Sequence, residues 1–138
     1  ARIKLKKLYP SIHGWHDTSS QYLSRNKDYI GTGIPGALVL NGLGKWVYYE
    51  DMISGNMKPG TIIQGWHTDF QFVQQSISNG LEPVGHSFIF LNYFEHNGET
   101  KMRILDQRGV QVIQFSDFVF MIGAYPGVYE KSSVYEKL

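Results

Sequence analysis

The chain contains no cysteine, which excludes disulfides, zinc-thiolate centres and thiol catalysis by the chain as it stands. Nor does it carry a large charge of either sign. Thirteen Lys and Arg face 12 Asp and Glu, and the single basic cluster, "RIKLKKL" at residues 2 to 8, is too short and isolated for a nucleic-acid footprint. No apolar run reaches the roughly 18 residues that a membrane helix needs, so no membrane span is expected. A signal-peptide pattern is also missing. The first residue is alanine, which is compatible with a processed start and a removed export signal. Repeats and low-complexity tracts are absent. At 138 residues the chain is expected to form one domain, 1–138, burying roughly two thirds of the surface of its unfolded state.

What is present is an ordered series of helix and strand signals. Thr18 followed by "SSQYLSRNK" reads as an N-cap and a short helix, with Tyr22 and Leu23 available for burial. In "GTGIPGALVLNGLGKW", Pro35 suits a first helical turn and Gly44 a position past the end, so a short, apolar, buried helix is expected over 35–43. "YYEDMISGNMKPG" is a polar connection with about one helical turn. Pro59-Gly60 then turns into the strand "TIIQGW". Asp69 is an N-cap for a second helix carrying Phe70, Val73 and Ile77 at helical spacing and ending at Gly80.

From His86 onward the signals are those of strands. "HSFIFLNYF" is β-branched and aromatic, Asn97-Gly98 is a hairpin turn, and "KMRILDQ" is the return strand. Gly109 permits a tight turn into "VQVIQF", and "DFVFMIGAY" supplies another strand. The first of these is apolar on both faces, which places it centrally with cover on each side. The expected class is α+β, with N-terminal helices packed on a C-terminal antiparallel sheet of about four to six strands.

Three segments in this order resemble the NlpC-type peptidoglycan hydrolases and the related CHAP amidases, within the papain-like fold. Those proteins open their first core helix with a pattern of the form Tyr-x-Gly-Thr-x-Cys-Ser-Gly-Leu-Val, whose outline "YIGTGIPGALV" at 29–39 follows. Their Pro-Gly-Asp strand opening is matched by Pro59, Gly60 and "TIIQ", with Thr61 in place of the acid. Their Gly-His strand is matched by Gly85, His86 and "SFIF". The resemblance covers roughly residues 29 to 115.

What the resemblance implies is cleavage of a peptide amide in peptidoglycan through an acyl-enzyme. A nucleophile at a helix N-terminus is activated by an imidazole on a neighbouring strand, and a third polar group orients that imidazole. His86 is then the base. Its orienter lies on the paired strand: a two-residue loop at Asn97-Gly98 selects Gln107 and a three-residue loop selects Asp106, the carboxylate being the better partner for an imidazolium.

The nucleophile position holds Pro35, with Gly36 and Ala37 beside it, and none of these attacks a carbonyl. Either the chain is a natural pseudoenzyme that keeps the groove for binding, or Ala37 is the trace of a replaced cysteine. Thr32 is the nearest hydroxyl. Trp66, His67, Tyr29 and Gly36 are the expected groove wall, and the helix over 69–79 is a candidate lid. The implied partner is a peptidoglycan stem peptide or another peptide, the implied location is extracytoplasmic or secreted, and no cofactor is required.

Other readings of the same residues stand beside these. His86 is also compatible with an ordinary strand histidine bonded to a carbonyl, and Asp106 with the start of the "DQRG" turn. The near-repeat "IHGWHD" at 12–17 and "QGWHTD" at 64–69 collects His13, His16, Asp17, His67 and Asp69, residue types that bind divalent metals. Nine Tyr and three Trp make aromatic contact with a glycan or peptide a further possibility, although most such rings belong to a core.

Overall fold

The computed structural model describes residues 29–129, so the Thr18 helix and the residues His13, His16 and Asp17 lie outside them. The described chain runs α1 (Gly33–Leu40), β1 (Gly44–Val47), α2 (Tyr49–Ile53), β2 (Ile62–Trp66), α3 (Phe70–Ser78), β3 (Gly85–His96), β4 (Glu99–Asp106), β5 (Gly109–Ile113), a 3-10 turn at Phe115–Asp117, and β6 (Phe120–Pro126). Six antiparallel strands form one sheet in the order β1-β6-β2-β3-β4-β5. The class is α+β, as expected. The order of elements is more interleaved than helices followed by strands.

Local chemistry sets the element ends. Asp69 caps α3, its Oδ1 accepting from Phe72 N at 2.8 Å, which satisfies one of the N–H groups left over at a helix start. α1 begins two residues before Pro35, so the proline falls in the first turn, where its missing N–H costs no helical bond. The helix also stops earlier than Gly44. The Asn41 side chain donates to Ala37 O at 2.7 Å, and Gly42 follows at φ 72°. Gly44 instead opens β1, a strand that sequence reasoning missed.

The β3–β4 hairpin turns on Asn97 (φ 52°) and Gly98 (φ 77°), the two positive φ values that fit the twist of paired strands. His96 lies opposite Glu99, so the loop has two residues. The ladder shifts, however, between Phe90 and Asn92: Leu91 is an extra residue, a β-bulge. Beyond it, Ile89 faces Leu105 and Phe90 faces Ile104.

The sheet carries different cover on its two faces. On the first face, Ile62 and Ala124 pack with Ile34, Ala37, Leu38 and Val39 of α1, and Trp66 packs with Val73 and Ile77 of α3. On the second, Ile63, Phe88, Phe90, Met102, Ile104 and Met121 form a core with Met52 of α2 and Met57. Tyr93 ties this side together, donating to Met52 O at 2.6 Å and accepting from Met57 N at 3.1 Å. β2 is buried at all five positions and so is covered on both faces, whereas β3 is fully buried only at Phe88 and Phe90 on the second face, short of the two-sided cover its apolar run predicts.

Candidate functional site

Strand alternation assigns His86 to a face. It pairs with Gly65 of β2, as Phe88 pairs with Ile63, so His86 stands on the second face, its ring 5.7 Å from that of Phe88. Its Nε2 lies 2.8 Å from Asp106 Oδ2. Asp106 is the partner, and Gln107 lies exposed in the β4–β5 turn. The two-residue hairpin loop alone would have selected Gln107. The Leu91 bulge slides the distal ladder by one residue and brings Asp106 onto the face of His86.

The Asp106 side chain is fully buried, whereas that of His86 is 25% exposed. Burial by itself raises the carboxyl pKa, because the charged form loses water. Hydrogen bonds from the Arg108 side chain, His86 and the Arg108 backbone outweigh that and hold it at about 2, below the usual 3.8. Oδ1 accepts from Arg108 N at 2.8 Å. Oδ2 accepts from Arg108 Nη2 at 3.0 Å as well as from His86. One buried oxygen therefore holds an imidazole and a guanidinium together. With an ionised carboxylate at Nε2, the neutral ring carries its proton there and leaves the Nδ1 lone pair available.

Aromatic rings extend the site. Phe118, from the segment before β6, lies 5.6 Å from Phe88 and 4.9 Å from His67, centroid to centroid. It covers Gly65: a Cβ there would stand 2.6 Å from the Phe118 ring. Glycine opposite His86 is what lets this ring lie on the sheet beside the dyad. Of the expected groove wall, exposed His67 stacks on Phe118.

The remaining expected residues lie elsewhere. α1 packs on the first face, where Gly33 backs onto the Gln64 side chain, and the sheet separates it from His86. Ala37 is a core residue, so the position is filled by packing rather than facing a groove. Gly36 has no room for any side chain, since a Cβ would collide with the Thr32 hydroxyl. That hydroxyl is buried and donates to Tyr29 O at 2.5 Å, which rules it out as a nucleophile toward His86. Pro35 is likewise buried.

Tyr29 belongs to the core and stacks on Trp46. Trp66 is buried and donates from Nε1 to Gly31 O at 2.7 Å, anchoring the approach to α1. Both are structural rather than groove residues. Helix α3 covers the first face and is no lid over His86.

Arg108 and Phe118 are the site residues that sequence reasoning passed over. The signal for Arg108 was its place two residues after Asp106 in "DQRG", where a turn folds it back onto the carboxylate. Phe118 had no local signal.

Among the described residues no group of three or more His, Cys, Asp or Glu side chains converges as metal ligands, and no helix is long and apolar enough to cross a membrane. No protein-family model, curated protein or solved structure matches the chain.

Proposed function

We propose that the chain is a non-catalytic peptide-recognition module on a papain-like fold, related to the NlpC and CHAP amidases and directed at the peptide part of peptidoglycan outside the cytoplasmic membrane. The observation that carries this reading is the His86–Asp106 contact of 2.8 Å between a part-exposed imidazole and a fully buried carboxylate. Such a pair corresponds to the base and orienter of those amidases, and an imidazole held at one nitrogen presents the other to a ligand. The helix position where the resemblance puts a nucleophile is occupied by buried Pro35, Gly36 and Ala37 on the far side of the sheet. This favours recognition over acyl-enzyme chemistry.

The amide-cleaving reading is the alternative, favoured by the same dyad. Both are tested by titrating a short peptidoglycan stem peptide into 15N-labelled protein, then analysing the mixture by mass spectrometry. Binding is expected to shift resonances of His86, His67 and Phe118 while the peptide stays intact. Cleavage abolished by His86→Gln would replace recognition with hydrolysis, and shifts confined to other surfaces would move the site elsewhere.

A further inference from the structure

We propose that His86 and Arg108, held side by side by the buried carboxylate of Asp106, form a carboxylate-binding site that takes the free C-terminus of a peptide. The inference rests on the peptide-recognition reading and names the group recognised.

Its basis is the distribution of hydrogen-bond donors. Asp106 Oδ2 lies 2.8 Å from His86 Nε2 and 3.0 Å from Arg108 Nη2, so both cationic-type side chains converge on one atom. The Asp106 side chain is fully buried, while the Arg108 side chain is 64% exposed. The carboxylate thus clamps from beneath, and the guanidinium spreads outward above it. A guanidinium has five N–H donors in a planar fork. Among the described residues, the Arg108 side chain is bonded to Asp106 alone, which leaves the outer edge of the fork to solvent. That edge has the geometry that pairs with a carboxylate.

The clamp also fixes the side chain. Arg108 N donates to Asp106 Oδ1 at 2.8 Å, so the turn and the guanidinium are tied to the same carboxylate. The rotamer freedom that weakens exposed ion pairs is therefore already reduced before a ligand arrives. The Phe118 ring lies over Gly65, the β2 residue opposite His86, and stacks on His67 at 4.9 Å, which gives an aromatic wall on that side of His86 for the last side chain of the peptide.

The groups around His86 are Asp106 from β4, which also holds Arg108 from the β4–β5 turn, Phe88 of its own strand, and uncharged Gly65 from β2. The outer edge of the guanidinium is therefore the part of the site that meets an incoming carboxylate, with the imidazole held beside it on the same Asp106 oxygen.

The test uses one stem peptide as its free acid and as its C-terminal amide, with sodium acetate as a minimal probe, against the wild type and Arg108→Gln. The free acid is expected to bind about tenfold more tightly than the amide, and Arg108→Gln to remove most of that difference. Equal binding of acid and amide, or preference for the acid unchanged in Arg108→Gln, overturns the carboxylate site and leaves peptide recognition standing. If acetate shifts Arg108 and His86 while neither peptide binds, the anion site stands and the peptide reading falls. No response to any of the three probes overturns both.

Discussion

Asp106 accepts three hydrogen bonds with its side chain wholly out of water, so its ionisation is coupled to folding. Its carboxyl is held at about 2 in the folded chain against 3.8 ordinarily. A depressed folded pKa contributes stability that is fully present above the unfolded value and is lost as pH falls through the folded one. Urea midpoints are therefore expected to hold steady above pH 5 on this account and to drop between about pH 4 and pH 2, with a shallower drop in Asp106→Asn. Parallel acid limbs in the two proteins would refute the coupling.

At neutral pH the same variant is expected to lose about 2 kcal/mol, because charge-assisted bonds become ordinary ones around a still-buried group. Tyr93→Phe, which leaves Met57 N without its side-chain acceptor and removes the hydroxyl bond to Met52 O, is expected to cost about 1 kcal/mol in the same assay.

At the scale of elements, much was legible in the sequence. A run of β-branched and aromatic residues marked β3, Asn97-Gly98 marked its turn, and Asp69 marked the start of α3, because each signal arises from local chemistry. Asp69→Ala is accordingly expected to cost about 1 kcal/mol of stability in urea. The bulge was not legible. Leu91 sits inside the unbroken run "FIFLNYF", and nothing local distinguishes the residue that drops out of the ladder. Four-residue β1 escaped notice because "GKWV" follows a helix-ending glycine and is too short for a period to emerge.

The bulge has a consequence that runs against ordinary expectation for a strand. Deleting Leu91 leaves Phe90 opposite Ile104 and Asn92 opposite Arg103, the pairs already present. The deletion variant is therefore expected to fold cooperatively, to keep the Asp106 acid limb, and to lose only about 1 kcal/mol with the leucine's packing. Deleting Ile89 instead moves His86 and Phe88 to the wrong face and is expected to abolish folding. Loss of the acid limb on deleting Leu91 would show that the register depends on more than residue count.

The whole molecule imposes a limit that no single element reveals. Periodicity says that a helix has an apolar face, but not which side of the sheet it will cover. This is why the outline at 29–39 and the His86 strand could be matched to one active site although the sheet stands between them. The distinction can be read with a thiol, since the chain has no cysteine of its own. Ala37→Cys places a sulfur in a core shared with Ile62 and Ala124, and overpacking there is expected to cost about 1–2 kcal/mol. Its labelling by a disulfide reagent should be slow and track global unfolding, with no cleavage of stem peptide. His67→Cys, at an exposed position stacked on Phe118, should react at the rate of a free thiol, and bound peptide should slow it. Rapid labelling of Ala37→Cys together with restored cleavage would mean that the helix start does open onto the face of His86, and the chain would then be an amidase silenced at one position rather than a recognition module.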